Sequence, residues 1–328
     1  MSRNILVVGA GQLGSRHLQS MALLPEGFKV HVLDHSKDSL ELAEQRYNSV
    51  SSSTSPDVDY HTSLSAIKDQ HFEVTVVATN SANRLQVLEQ LVENVSLEHL
   101  ILEKVLFQST EQLKAAERLL KQNELNTWVN CPRRIFTAYK EIKQHYASSS
   151  SVEVTVSGYN WGLACNAIHF IDLWQFFAKF ESYSLDFKDI AVISSKRSGY
   201  QELTGVIEGI SDSGKHKLKL SCSSTDDKVV SSKLVVSFDG QAIVFGESEA
   251  ILRWLDDTGQ VIKEAPYNIP YQSESTQLHV LALLESGVCE LTPFDTSSML
   301  HEEFLNKALA AFNESSNATV QNKIVPIT

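Results

Sequence analysis

At 328 residues the chain is long for a single hydrophobic core, so two domains are expected. Its 42% hydrophobic and 21% charged content is that of a soluble globular protein, and a formal charge of −12 argues against a general nucleic-acid or anionic-membrane surface. No apolar run approaches the roughly 18 residues of a membrane span. The amino terminus lacks a cleavage site after a proper signal h-region, and Cys131, Cys165, Cys222 and Cys289 form no C-x-x-C pair. A reduced cytoplasmic protein with no disulfide framework and no metal cluster is expected.

The first 128 residues alternate strand and helix. "NILVVGA" is a continuous apolar run ended by glycine, as in a buried parallel strand. A helix over about Gln12 to Leu24, the strand "KVHVLDH" and the helix "SLELAEQRY" follow, then a Ser-rich stretch, "NSVSSSTSPDVD", expected as an exposed loop. "FEVTVVATN" and "LEHLILEK" read as strands flanking a helix from Asn83 to Glu93. A helix near Thr110 to Asn123 leads to "NTWVNCP". Strands separated by helices predict a Rossmann-type, doubly wound parallel sheet over residues 1–128.

Residues 129–328 have a different character. A helix in "RIFTAYKEIKQHY", the alternating strand "SVEVTVSGYNW" and the helix "CNAIHFIDLWQFF" come first. Runs such as "LTGVIEGIS", "HKLKLSCSS", "SSKLVVSFDG" and "QAIVFGES", separated by turn dipeptides, predict antiparallel hairpins. Helices over about 273–285 and 295–312 close the chain. The expectation is an α+β substrate-binding and oligomerisation domain built on an open, mainly antiparallel sheet.

Chemistry is concentrated at the ends of the first strands. Gly9-x-Gly11-x-x-Gly14 follows one strand and opens a helix, so a pyrophosphate would rest on the amides around Gln12 and Leu13. Asp34 ends the next strand about twenty residues on, where a carboxylate accepts the ribose hydroxyls and repels a 2′-phosphate. NAD is favoured. Ser36 and Lys37 keep NADP open, and FAD or S-adenosylmethionine fit the same loop geometry. Thr79 and Asn80 end "VTVVAT", either beside the cofactor's ribose or nicotinamide or simply as a turn and helix cap. Glu103 and Lys104 end "LILEK"; Glu103 is expected at the cofactor, and a lysine there either exchanges a proton with a substrate hydroxyl or snorkels from a strand end.

The helix after Cys165 places Asn166, His169, Asp172 and Gln175 at three-residue intervals in an otherwise apolar run. Neighbours three apart share a side of the helix. His169 and Asp172 therefore read as a cooperating pair or as a satisfied core pair.

This order of GxGxxG, Asp34, "VVATN", "EK" and a helix with H-x-x-D resembles the Gfo/Idh/MocA family, which includes glucose–fructose oxidoreductase and inositol dehydrogenase. The resemblance implies dinucleotide binding by Gly9, Gly11, Gly14 and Asp34, and substrate and nicotinamide contact by Lys104. It gives His169 the substrate hydroxyl across a domain crevice, Asp172 the part of its partner, and Arg133 or Arg134 the part of a substrate-side arginine. Asn166 would orient substrate. Four departures stand out: Val105 replaces the proline of E-K-P, Cys165 replaces the aspartate four before His169, Ala167 replaces the glycine between them, and Arg84 stands where many members carry histidine.

The activity implied is NAD(H)-dependent hydride transfer at a hydroxyl-bearing carbon of a sugar, polyol or sugar derivative, without a metal. Elimination or glycoside cleavage through tightly held NAD is the alternative enzyme, and an NAD-binding sensor or scaffold the alternative without catalysis. A homodimer or homotetramer through an apolar face of the second sheet is expected.

Overall fold

A computed structural model of the protein describes residues 3–225, 229–315 and 323–328. The chain divides into two compact units. One comprises residues 1–107, 111–130 and 270–294, and the other 108–110, 131–269 and 295–328.

In the first unit β1 (Arg3–Val8), α1 (Gln12–Met21), β2 (Phe28–Leu33), α2 (Lys37–Asn48), β3 (Asp57–His61) and β4 (His71–Val77) are followed by α3 (Arg84–Asn94), β5 (Ser96–Leu102), α4 (Thr110–Gln122) and β6 (Asn126–Val129). The apolar runs form strands because both sheet faces are covered: Ile5, Leu6, Val7, Val30, Val32, Val74, Val76 and Leu100 are all fully buried. The tail of the Ser-rich stretch, expected as a loop, is instead the edge strand β3, paired in parallel with β2 from Asp57 to His61. Its sequence, "DVDYH", is polar enough to hide the strand, because an edge needs burial on fewer sides.

The second unit carries α5 (Thr137–His145), β7 (Val152–Tyr159), α6 (Leu163–Ala178), β8 (Tyr183–Ser194), β9 (Gln201–Ser211), β10 (Lys217–Ser223), β11 (Ser231–Phe238), β12 (Gln241–Gly246), β13 (Ile251–Leu255) and β14 (Val261–Pro266). The sheet order is β14-β13-β12-β11-β7-β10-β9-β8. Every pairing is antiparallel except β7 with β10. Helix α6 lies on β7, β9 and β10, with Leu163, Ala167, Ile168, Ile171, Leu173 and Trp174 fully buried.

The outward face of this sheet is mixed, with charged pairs set among the exposed Tyr159 and Ile210. Lys188 and Lys219 meet Glu208 at 2.6 and 3.3 Å, and Lys217 meets Glu153 at 3.6 Å. The alternation of strand side chains assigns these Lys and Glu residues to the face opposite the buried Leu218, Leu220, Val154 and Val156.

The chain then contributes α7 (Gln272–Ser286) and the two-residue β15 (Thr292–Pro293), both within the first unit, before α8 (Phe294–Ser315). The first unit is therefore discontinuous and does not end at residue 128. Helix α7 packs on α1, and the amide of Gln277 donates to Ser20 Oγ at 2.9 Å. β15 pairs antiparallel with β6, completing a seven-stranded sheet of order β15-β6-β5-β4-β1-β2-β3. Because β2 and β4 flank β1, the winding reverses beside the carboxyl end of β1, where open α/β sheets bind ligands. Among the described residues no helix is long and apolar enough to cross a membrane.

Candidate functional site

The loop from β1 into α1 occupies that reversal point. Gly9 has φ +93°, a conformation that side-chain-bearing residues rarely adopt, and a Cβ on Gly14 would lie 1.8 Å from the Gly9 carbonyl oxygen. These two glycines let the helix start against the strand. Gly11 differs: a Cβ there would meet nothing within 4 Å. Its backbone faces open space at the N-cap of α1, where no side chain caps the first-turn amides. An anion can approach Gln12 and Leu13 there.

The Asp34 carboxylate closes one side of the cradle. Oδ2 accepts the Ala10 amide at 2.7 Å and Oδ1 accepts the Ser36 amide at 2.8 Å. Each oxygen retains acceptor capacity for a ribose hydroxyl. The open Gly11 backbone, the uncapped amides and this carboxylate together fit a dinucleotide, with Gly9 and Gly14 setting the turn.

At the end of β4 the hydroxyl of Thr79 is buried with no hydrogen-bond partner. That orphaned group suits a ligand contact. Asn80 is exposed and its Oδ1 accepts the Asn83 amide at 3.1 Å, so it caps the turn before α3. Arg84, which sequence reasoning registered only as a departure, is 1% exposed. Its guanidinium donates to the carbonyls of Thr79, Val105 and Leu106, at 2.7 Å in the last case. One buried cation thus ties the loop after β4 to the segment after Lys104, whose own peptide bond to Val105 is cis. Lys104 is half-buried at this junction.

Glu103, expected at the cofactor, is 3% exposed inside a polar network. Its Oε1 accepts from His17 Nε2 at 2.9 Å and from Asn130 Nδ2 at 2.5 Å. His17 Nδ1 lies 2.8 Å from Thr276 Oγ1, and Gln272 links Thr276 and Asn130 at 2.7 and 2.8 Å. Burial pushes the Glu103 carboxyl up, but the His17 and Asn130 contacts outweigh it and hold it below the usual carboxylate range. This network joins α1, β5, the end of β6 and α7 directly behind Lys104. No sequence motif marks it, because its members lie up to 259 positions apart.

In the second unit, α6 begins after Gly162, which has φ +76°. The buried Glu202 from β9 accepts the amides of Ala164 and Cys165 at 2.8 and 3.1 Å, capping the helix with a carboxylate where its dipole favours one. Asn166 Nδ2 donates to the Trp161 carbonyl at 2.6 Å. His169 is half-buried one turn further on, and Asp172 is 1% exposed.

Both oxygens of Asp172 accept from Arg134, Oδ2 from Nε at 3.0 Å and Oδ1 from Nη2 at 2.8 Å. Arg133 turns elsewhere: its Nε and Nη2 donate to the two oxygens of Glu247 at 2.8 Å each, and its guanidinium lies 4.5 Å from the centre of the Phe170 ring. The Tyr139 hydroxyl adds a third donor to Glu247 at 2.8 Å. Burial, and then the Glu247 charge, push the Tyr139 phenol well above its usual value. Each arginine expected to meet substrate already balances a carboxylate.

Residues 3–131 match the GFO_IDH_MocA model, described as an oxidoreductase family with an NAD-binding Rossmann fold. No curated protein matches the sequence significantly. Solved structures similar over nearly the whole chain include an oxidoreductase from Agrobacterium radiobacter in complex with NAD+, L-tartaric acid and magnesium, at TM-score 0.69 and 14% identity over 97% of both chains. A scyllo-inositol dehydrogenase from Lactobacillus casei with NAD(H) and scyllo-inositol aligns at TM-score 0.63 and 14% identity over 96% of this chain and 97% of that one. A UDP-N-acetylglucosamine 3-dehydrogenase from Acidithiobacillus ferrooxidans aligns at 0.67 and 12% over 94% and 97%. These likenesses are of fold. With a glycine cradle, a β2 carboxylate and a matching family model in one unit, residues 3–131 carry the NAD-binding Rossmann fold of the Gfo/Idh/MocA oxidoreductase family.

Proposed function

We propose that the protein is an NAD(H)-dependent oxidoreductase that interconverts a secondary alcohol and a carbonyl on an uncharged sugar, polyol or sugar derivative. The observation that carries the cofactor half is the Asp34 carboxylate, seated on the Ala10 amide beside the open Gly11 backbone. A negative charge there opposes a 2′-phosphate and favours NAD over NADP. The hydride chemistry belongs to the nicotinamide; the residues of this chain bind, orient and handle the proton.

Gly11, Gln12 and Leu13 would hold the pyrophosphate by their backbones, Asp34 the ribose, and Thr79 a further cofactor hydroxyl or amide. Lys104 would share the proton of the reacting oxygen, its segment fixed by Arg84 and by the network behind Glu103. His169 is the candidate general base in the oxidising direction, on a helix anchored by Glu202 and by Asp172 with Arg134. Asn166 would orient substrate. Paired arginines favour an uncharged substrate. A homodimer or homotetramer through the second sheet remains part of the proposal, its interface mixing charged pairs with Tyr159 and Ile210.

The test is a calorimetric titration with NAD+ and NADP+, followed by absorbance at 340 nm with polyols, aldoses and nucleotide sugars. NADH formation that disappears in both Lys104→Ala and His169→Ala supports the dehydrogenase. NAD+ binding with silence across the panel moves the reading to internal redox or to a sensor, as the Cys165 and Val105 departures would allow. Failure to bind either dinucleotide refutes the assignment.

A further inference from the structure

The edge strand hidden in the Ser-rich stretch brings together side chains that no sequence spacing connects. Asp59 and His61 are two apart on β3 and so share a face. His31 on β2 is the direct cross-strand partner of Asp59. His31 Nδ1 lies 3.1 Å from His61 Nε2, with ring planes 12° apart. One ligating atom from each of His31, Asp59 and His61 falls within 4.8 Å of the other two. This is the clustered ligand set that the sequence does not display.

We infer that this β2–β3 edge is a binding site for a divalent first-row transition ion of the zinc class, with His31 Nδ1, His61 Nε2 and an Asp59 carboxylate oxygen as ligands. Two metal–nitrogen bonds of about 2.0–2.1 Å meeting at about 90–110° hold their nitrogens about 2.9–3.4 Å apart. The 3.1 Å separation lies inside that interval. Two imidazoles and one carboxylate suit Zn2+, Co2+ or Ni2+ and not Mg2+ or Ca2+, which prefer oxygen ligands throughout. Three protein ligands leave a position for water.

Contacts among the same residues hold the set together. One imidazole donates its N–H to the other, and the Lys29 ammonium sits 2.7 Å from Asp59 Oδ2. To bind, the donor ring moves its proton to its other nitrogen, the half-exposed His61 ring pivots, and Lys29 leaves for water. None of these steps requires unfolding. The Lys29 and Asp59 side chains are 38% and 44% exposed, so their ion pair is weak and the site has an entry path. His31, only 5% exposed, supplies the rigid wall.

The site adjoins the cofactor cradle without sharing a ligand with it: the His61 carbonyl accepts the Asp34 amide at 3.1 Å. The proposal does not depend on the dehydrogenase reading, and its test uses no NAD. The full chain, stripped with EDTA, is titrated with ZnCl2 by calorimetry, and with CoCl2 while visible absorption is recorded. One ion per chain is expected. His61→Ala and Asp59→Asn should each weaken Zn2+ binding by more than the roughly tenfold that loss of even an outer-sphere partner costs. The cobalt absorption should be lost in His61→Ala, and Lys29→Met should bind Zn2+ more tightly. Absence of saturable binding, or binding unchanged in His61→Ala and Asp59→Asn with both variants folded by circular dichroism, overturns the site. Unchanged or weaker binding in Lys29→Met overturns Asp59 as a ligand.

Discussion

Two glycines three residues apart should fail in opposite ways when each becomes alanine. At Gly14 the new Cβ would stand 1.8 Å from the Gly9 oxygen and 2.8 Å from its carbon. Both are backbone atoms at the end of a buried strand, so relief requires α1 to move outward by more than 1 Å, on the order of the missing carbon–oxygen separation. That helix is also fixed to α7 through Ser20 and through His17. Overpacking of this kind costs about 1–3 kcal/mol, and with backbone on both sides the upper end applies. At Gly11 the Cβ meets nothing, and φ −65°, ψ −163° is open to alanine, so only a cap preference of about 1 kcal/mol or less is lost. What the methyl does occupy is the approach of the pyrophosphate. Displacing amide hydrogen bonds to a charged group forfeits about 1.5–3 kcal/mol, or roughly 10- to 150-fold in affinity. Urea unfolding and NAD+ calorimetry on both variants separate the effects. Gly11→Ala should unfold near the wild type yet bind NAD+ poorly, and Gly14→Ala should be distinctly less stable. Wild-type NAD+ affinity in a folded Gly11→Ala protein would refute the placement of the phosphates on this loop.

Arg84→Met keeps length but removes the donors to three carbonyls; at about 1–3 kcal/mol for a buried group left unsatisfied, a loss near 3 kcal/mol in urea unfolding is expected. Arg84→Met should also lower kcat more than it raises the NAD+ Kd, because the segment it fixes follows Lys104. Glu103 gives a pH signature. Its folded-state pKa is depressed by His17 and Asn130 against the pull of burial, so its stabilising contribution is complete above its unfolded value of about 4.3 and disappears as pH falls through the lower folded value. The stability gap between wild type and Glu103→Gln, expected near 2 kcal/mol from charge-assisted bonds, should be constant from pH 6 to 7 and close below pH 4. A gap that widens in acid would mean that the carboxyl is protonated in the folded protein.

Most of the fold is legible in the sequence because it rests on periodicity. Buried parallel strands read as apolar runs, the hairpins of the second unit alternate, and glycines punctuate both. The glycine loop and Asp34 are legible for the same reason: their spacing is set by one strand–helix–strand unit. What the sequence conceals is long-range polar pairing. Asp172 reads as the partner of His169 because they are three apart on a helix, but nothing local reveals that both of its oxygens also accept from Arg134, 38 positions away. Glu202, Glu247 and His17 carry no local pattern at all; each is chosen by what the fold brings beside it. The strand β3 escaped because a polar edge strand lacks the apolar alternation that identifies an inner one. The return of residues 270–294 to the first unit has no local signal either, since the buried side of α7 mixes Ser275, Thr276 and His279 with Val280 and Leu283.

The arginine pairs bear on what the protein can accept. For Arg133 to give an anionic substrate the charge and the Nε and Nη2 donors now on Glu247, it must release that carboxylate, which the same guanidinium holds below its usual range against the opposing effect of burial. Breaking a fully buried pair costs about 3–5 kcal/mol; with side chains 19% and 29% exposed, about 2–3 kcal/mol is the discounted figure. A phosphate or carboxylate on the substrate would therefore recover little net binding from Arg133, whereas a hydroxyl can accept from a spare N–H while the pair stays closed. The same reasoning applies more strongly to Arg134 and Asp172, which are deeper. A polyol should then exceed its own monophosphate in kcat/KM by roughly 30- to 150-fold. Glu247→Gln, which frees Arg133 of its counter-charge, should narrow that ratio. If the phosphorylated substrate is preferred by the wild type, the pairing of Arg133 with Glu247 does not persist in the complex, and the substrate is an anion that this arginine leaves its carboxylate to meet.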